Sequence, residues 1–284
     1  MPDNTNNVLA VAARAQDINF VTKFEADLHN LIALLGKNEV QVMAPGTAFK
    51  IYKTSGTLSA EEVAEKAEIP DSNIAADDGT LVALSYKKYR NLTSIEDIGK
   101  KGYDVAVGST NAALLRLIQK VIRTTIYTAV KTGTGAVSGA GWNFQQKIAG
   151  AAGALAIKFE DEAYTPVFFA NPGDAYDYLG AHDITLETQF GLSYLANFLG
   201  VGNVVLDSNV PAGTVIGTAV ENLELVAASI ADIPGMDMTT DETGILAVRT
   251  EPKYENGAIQ TVAYCGMAIL PVFLDRIVKA TASA

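Results

Sequence analysis

Cysteine is almost missing from this chain, with one in 284 residues. A single thiol makes neither an internal disulfide nor a zinc–thiolate cluster. Histidine is nearly as scarce, and His29 and His182 are too far apart in sequence to form a zinc-binding pair at helical spacing. No Gly-x-Ser-x-Gly string supplies a nucleophile elbow. No Gly-x4-Gly-Lys-Ser/Thr string supplies a phosphate loop. Long apolar runs are missing as well. The best candidate, Tyr264 to Leu274, is short and interrupted by Pro271, far below the ~18 residues of a spanning helix. The opening residues lack the basic start and apolar block of a secretory signal, so a soluble protein made inside a cell is expected, with no membrane partner. Basic residues are the minority: 21 Lys and Arg against 32 Asp and Glu, a formal net charge of −11. That balance argues against a surface that coats nucleic acid as a whole.

What is present is apolar bulk. The chain is 49% hydrophobic and 19% charged, which excludes intrinsic disorder. Its length suits one or two domains with a real core. Residues 1–19 are small and polar and read as a mobile arm. Phe20, Phe24, Leu28, Leu31 and Leu35 then recur at helical spacing and predict a short amphipathic helix, with Gly36 as its C-cap. Residues 41–54 and 80–89 read as two strands. Between them lies an acidic stretch holding Glu61, Glu62, Glu65 and Glu68, with Lys66 as its one base. A projecting hairpin is the natural reading. Just beyond it the sign flips, with Lys87, Lys88, Arg90, Lys100 and Lys101. An acidic tip beside a basic root can pair between identical neighbours, a contact that builds rings or lattices. The alternative is a solvated acidic loop.

Residues 94–101 suit a short helix. Residues 109–130 predict the longest helix, capped by Ser109 or Thr110. Leu115, Ile118, Ile122, Ile126 and Ala129 form its apolar stripe, and Arg116, Lys120 and Arg123 a basic one. The glycine-rich run Gly133–Gly141 follows a helix, so it reads as a hinge rather than a nucleotide fingerprint, with Trp142 as a packing anchor. Beyond it, residues 144–158 predict a helix, 166–171 a buried strand, 174–179 a short helix and 190–199 another. Residues 201–206, 214–219 and 223–226 predict strands. Residues 232–242 read as an exposed acidic loop. Residues 244–250 and 258–264 form a hairpin signal, and 280–284 a tail. Cys265 sits in an apolar run and reads as a buried hydrophobe.

This order of parts resembles the major capsid protein of tailed bacteriophages with the Hong Kong 97 fold. The stretch from Asn38 (NEVQVMAPGTAFKIY) resembles the rising strand of that family's extended loop. Leu92 to Val130 resembles its base and spine helix. TPVFFANPGDAYDYL from Thr165 is similar to the strand, turn and helix of its axial domain, VVLDSNVPAG from Val204 to a further strand-and-turn element of the fold, and 244–249 with 258–264 to the closing strands of the peripheral domain. The resemblance implies an α+β fold with an N-terminal arm (1–36), an extended β-hairpin loop (37–92), a peripheral domain with the spine helix (93–140 and 231–284) and an axial α/β domain (141–230).

It also implies a structural role, with no catalytic residue, no metal and no cofactor. Hexamers and pentamers of the chain would close an icosahedral shell around double-stranded DNA, held by weak, non-specific contact. A separate scaffolding protein, a portal and decoration proteins are the further partners implied. The virion is the expected location, after assembly in the host bacterial cytoplasm. On this reading Glu61, Glu62, Glu65 and Glu68 form an intersubunit loop. Lys87, Lys88, Arg90, Arg116, Lys120 and Arg123 are its basic partners or an interior face. An encapsulin-type compartment shares the fold and is the alternative, with an uncharacterised soluble enzyme behind it.

Overall fold

The computed structural model describes residues 4–35, 40–44, 48–50, 53–57, 73–77, 81–84, 86–160, 162–182, 185–189, 192–230 and 237–283. In chain order, helix α1 (Asn4–Leu34) leads to β1 (Gln41–Met43), β2 (Ala48–Lys50), β3 (Lys53–Thr57), β4 (Asn73–Asp77), β5 (Leu81–Ala83) and β6 (Lys87–Ser94). Helices α2 (Ile95–Lys101) and α3 (Tyr103–Lys131) follow, then β7 (Gly135–Ala140), α4 (Phe144–Lys158), β8 (Pro166–Ala170) and α5 (Pro172–Leu179). The rest is strand, apart from single 3-10 turns at Val220–Asn222 and Tyr254–Asn256: β9 (Glu187–Gln189), β10 (Leu192–Phe198), β11 (Gly202–Leu206), β12 (Thr214–Ala219), β13 (Leu223–Ala228), β14 (Thr239–Thr240), β15 (Leu246–Lys253), β16 (Ala258–Cys265), β17 (Met267–Pro271) and β18 (Val278–Ser283).

Three sheets form the body. The seven-stranded sheet has the order β7-β18-β12-β8-β11-β10-β9, the four-stranded sheet β14-β15-β16-β6 and the three-stranded sheet β1-β13-β17. Strand β8 explains the layering of the largest sheet. Its run PVFFA is buried on both faces, as expected of a central strand covered on both sides. Phe168 and Ala170 join Ile148, Ala151 and Leu155 of α4 in one core. Val167 and Phe169 face the opposite way, into a second core with Ile118, Ile122 and Ile126 of α3 and Phe24, Leu28 and Leu31 of α1. That second core continues through Leu246 and Val248 of the four-stranded sheet and Leu225 and Ile269 of the three-stranded one.

The acidic excursion springs from two sheets. Strand β1 runs parallel to β13, with Gln41 opposite Val226. The returning β6 pairs along its length with β16. In between, β2 pairs antiparallel with β5 and β3 with β4. The root is fastened where Tyr86 Oη donates to the Ser229 carbonyl at 2.7 Å.

Several expectations change. Of the expected arm 1–19, residues 4–19 belong to the helix, since α1 begins at Asn4 and buries Ala13 and Asp17; residues 1–3 lie outside the described residues. The face Phe20, Phe24, Leu28, Leu31 and Leu35 is buried as the spacing requires; Gly36 lies outside the described residues. Helix α3 has 29 residues, about 43 Å at ~1.5 Å per residue. Ser109 and Thr110 lie inside it, their hydroxyls bonding back to the Ala106 carbonyl, a common habit of these residues within helices.

The glycine-rich run is a strand rather than a hinge. β7 pairs parallel with β18, and its glycines admit bulky neighbours. A Cβ on Gly139 would sit 2.0 Å from Trp142 Nε1, and one on Gly135 would sit 2.8 Å from the Ile277 carbonyl oxygen. The stretch 190–199 holds a strand, β10, rather than a helix, and pairs antiparallel with β11. The tail 280–284 is strand through Ser283 and lies inside the seven-stranded sheet. Of the acidic loop 232–242, Asp241 is buried and accepts hydrogen bonds from Leu246 N at 2.7 Å and from the Thr243 hydroxyl.

Candidate assembly surfaces and the joints behind them

Glu61, Glu62, Glu65 and Glu68 lie outside the described residues. The six basic candidates are described, and they fall into three places. Lys87 and Lys88 are adjacent on β6, so they point to opposite faces of the four-stranded sheet. Lys87 faces α3 and donates to Thr125 Oγ1 at 3.1 Å. Thr93, also on this face, shares a 2.8 Å hydrogen bond with Thr110 of α3. Lys88, Arg90 and Leu92 occupy the other face and are exposed. The register sets them opposite Tyr264, Val262 and Gln260 of β16. This outward face therefore combines cations with half-buried apolar groups.

The stripe on α3 is split as well. Arg116 lines a groove between α1 and α3. Lys120 and Arg123 line a separate cavity of about 340 Å³, walled by Tyr176, Ser193, Ser208 and Asn209. Asp207 also lines it, and its carboxylate accepts from the backbone N–H and side-chain amide of Asn209 at 2.9 and 2.8 Å. Cations, hydroxyls and amides of this kind suit a polar or anionic contact from a neighbour.

Behind these surfaces sit polar joints that sequence reasoning missed. Asp17 of α1 is 4% exposed. It accepts from Thr250 N at 2.9 Å and Thr250 Oγ1 at 2.6 Å, fastening α1 to β15. Burial pushes its carboxyl above the ordinary value of 3.8; the Thr250 bonds and the Arg249 charge oppose this without cancelling it. Tyr103, on the other side, is pushed up by burial and by the charges of Asp17 and Asp104. The folded chain therefore holds the Asp17 proton more tightly than the unfolded chain does. The stabilisation from that proton is complete below the unfolded pKa and is lost as pH rises through the raised folded value. Asp17→Asn mimics the protonated form. Its melting temperature relative to the native chain is expected to be higher at pH 7 than at pH 4. An offset independent of pH would contradict this.

A second joint is built on Arg276. Its guanidinium lies over the rings of Phe159 at 4.6 Å and Phe273 at 4.4 Å. It also forks onto both oxygens of Glu162, at 2.7 and 3.1 Å, which holds that carboxyl below its ordinary range. Cys265 is buried as expected, and burial pushes its thiol up to about 12, leaving it in the unreactive protonated form. His29 is exposed on α1, whereas His182 stacks on Tyr178 with ring centroids 4.1 Å apart. No cluster of three or more His, Cys, Asp or Glu suited to a metal occurs among the described residues. No described helix is long and apolar enough to cross a membrane.

No family model matches this chain, and no curated protein sequence does. Solved structures do. The virus-like particle protein from Pyrococcus furiosus is similar at TM-score 0.52 and 14% identity, over 94% of this chain and 96% of that one. The capsid protein of an empty GTA particle matches at TM-score 0.53 and 14% identity, over 91% and 90%. The capsid protein of cyanophage A-1(L) matches at 0.53 and 14%, over 88% and 92%. At such identities the likeness is one of fold. The chain has the mixed α/β fold of Hong Kong 97-type capsid proteins.

Proposed function

We propose that this chain is the structural subunit of a closed protein shell, the head of a tailed bacteriophage. One observation carries the reading: the likeness to capsid and virus-like particle proteins runs over nearly the full length of both partners. On this reading the chain associates with itself through hexamers and pentamers into an icosahedral shell and encloses double-stranded DNA. The net charge of −11 keeps the shell from gripping that DNA strongly. The extended-loop, peripheral and axial divisions at 37–92, 93–140 with 231–284, and 141–230 belong to the same proposal. So do a scaffolding protein, a portal, decoration proteins and a virion location. The role is structural rather than catalytic. The second reading, an encapsulin-type compartment, stands beside it, because one of the similar shells is a virus-like particle rather than a phage head.

The experiment is electron microscopy of the purified chain, with mass by light scattering. Closed shells, tubes or free hexamers are expected, and DNA or protein cargo in the native particle separates the two readings. A dimer that stays small across concentration and salt would overturn both. The acidic loop is tested separately. Changing Glu61, Glu62 and Glu65 together to Lys is expected to abolish particles while leaving the far-ultraviolet circular dichroism unchanged. The outward face carrying Lys88 and Arg90 is the surface we assign to receive that loop. Normal particles from the triple variant would remove the loop from the assembly contact.

A further inference from the structure

The cavity of about 340 Å³ beside α3 holds charges of both signs that do not meet. Asp207, which follows β11, lines it and is 7% exposed. One of its oxygens takes both Asn209 donors, the backbone N–H at 2.9 Å and the side-chain amide at 2.8 Å. Its other oxygen accepts no hydrogen bond among the described residues, which is uncommon for so buried a polar group. Lys120 and Arg123, three residues apart and so neighbours on α3, line the same cavity, yet neither forms an ion pair with Asp207. Lys120 is exposed and belongs to no ion pair among the described residues. Tyr176 of α5 also lines the cavity and is 54% exposed. Ser193 of β10 and Ser208 add two hydroxyls. The occupant that answers all of these groups carries negative charge for the cations and a donor for Asp207.

We propose that this cavity binds a free ribonucleoside monophosphate. The hydrogen-bond inventory selects the class. Lys120 and Arg123 only donate and the Asp207 carboxylate only accepts, so the ligand is an anion with hydroxyl donors close to its charge. Sulfate, or a carboxylate reaching in from a neighbour, would satisfy the cations but offer Asp207 only another acceptor. The backbone of a DNA duplex fails for the same reason, since its phosphodiesters and deoxyribose rings carry no donor. A sugar phosphate supplies both. Tyr176 narrows the class further, because an open aromatic ring is a stacking platform for a base. The phosphate then lies at Lys120 and Arg123, the ribose hydroxyls at Asp207, and the base at Tyr176. The volume falls within the range of small-molecule pockets, about 300–1,000 Å³. Every group comes from one chain, so the site is independent of shell formation.

The test is isothermal titration calorimetry of the full chain with adenosine 5′-monophosphate, with its 2′,3′-dideoxy analogue and with a short oligoadenylate. Saturable binding of the monophosphate is expected, and the analogue, which keeps phosphate and base but lacks both hydroxyls, should bind about tenfold more weakly or worse. Lys120→Ala should weaken the monophosphate about tenfold. Lys131→Ala, an equal charge loss about three turns further along α3, should leave it unchanged. Asp207→Asn keeps an oxygen for the Asn209 turn but sets an amide donor towards the sugar. It should weaken the monophosphate about tenfold and abolish the preference over the analogue, which a merely structural role for Asp207 would not do. Absence of monophosphate binding would overturn the proposal, and so would equal binding of the analogue by the native chain. Equal weakening by Lys131→Ala would reduce the binding to general charge and overturn it too. Tighter binding of the oligoadenylate than of the monophosphate would place an RNA strand, not a free nucleotide, in the cavity and overturn the choice of ligand. Should Asp207→Asn fail to fold, the analogue and the two lysine variants decide alone.

Discussion

Phe24→Ala is expected to lower the unfolding free energy by about 3–5 kcal/mol, the usual cost of a large cavity at a fully buried aromatic. Phe24 is 0% exposed and lies in the core that joins α1, α3 and the inner face of the seven-stranded sheet. Helix α1 packs on β15, α3 and β14. Besides its apolar face, its strongest hold is the Asp17–Thr250 pair. The exposed ion pair of Arg14 with Asp237, at 3.6 Å, adds little, as surface pairs do. The cavity therefore falls where the helix has few other anchors. Urea denaturation at one fixed protein concentration measures it, with Asn30→Ala on the exposed side of α1 as the control, expected within about 0.5 kcal/mol. A detached arm would make both variants equally harmless, and that outcome would undo the packing described for α1.

The reach of the sequence can be judged from the same helix. Its docked half was legible, because Phe20, Phe24, Leu28, Leu31 and Leu35 form a periodic stripe. Its first half was not, because residues 4–19 show no such stripe. Once the docked turns exist, adding a turn needs only propagation, and no new nucleus. Helix α4 was read within its true limits. Asn143 and Gln146 form a capping box there, each side chain bonding the other's backbone N–H at 2.9 Å. The N-x-x-Q pattern is visible in the sequence. Strand β10 was misread for a specific reason. Leu192, Leu195 and Phe198 recur every third residue, which imitates a helix. In the structure Leu192 faces the core shared with α1 and α3, whereas Leu195 and Phe198 both face the core under α4; a bulge between Leu195 and Phe198 shifts the register against β11 and puts these two, three residues apart, on one side. Strand β7 was hidden by its glycines, which are there because Trp142 and Ile277 come too close for a Cβ.

The joints were less legible still. Asp17 and Thr250 are 233 positions apart, and nothing local marks either one. In the sequence the basic candidates form two groups along the chain. The alternation of β6 then divided one group between two faces, and the grooves beside α3 divided the other. A charge pattern in sequence carries no information about which neighbour supplies the opposite wall.

Asn222→Ala is expected to cost on the order of 2–4 kcal/mol, because it orphans backbone groups instead of merely deleting a contact. The chain passes twice between the seven-stranded and three-stranded sheets, once from β12 to β13 and once from β17 to β18. Asn222, 2% exposed, sits in the first passage and locks the second. Its Oδ1 accepts from Phe273 N at 2.8 Å, its Nδ2 donates to the Phe273 carbonyl at 2.9 Å and to Thr218 Oγ1 at 3.2 Å. Its own carbonyl accepts from Val272 N at 2.9 Å. Phe273 in turn stacks on Arg276, so the lock extends to the Glu162 fork. Asn222→Asp should be worse than Ala at neutral pH. It places a buried carboxylate oxygen against the Phe273 carbonyl, acceptor against acceptor, and the deficit should shrink as pH falls and that oxygen is protonated. Hydrogen exchange at the Phe273 N–H, read beside global denaturation, checks the mechanism. Faster exchange at Phe273 with a stability loss in this range is the expected result. A loss below about 0.5 kcal/mol for Asn222→Ala would mean that water satisfies the crossing strands and that the two sheets are held together by their shared apolar core alone.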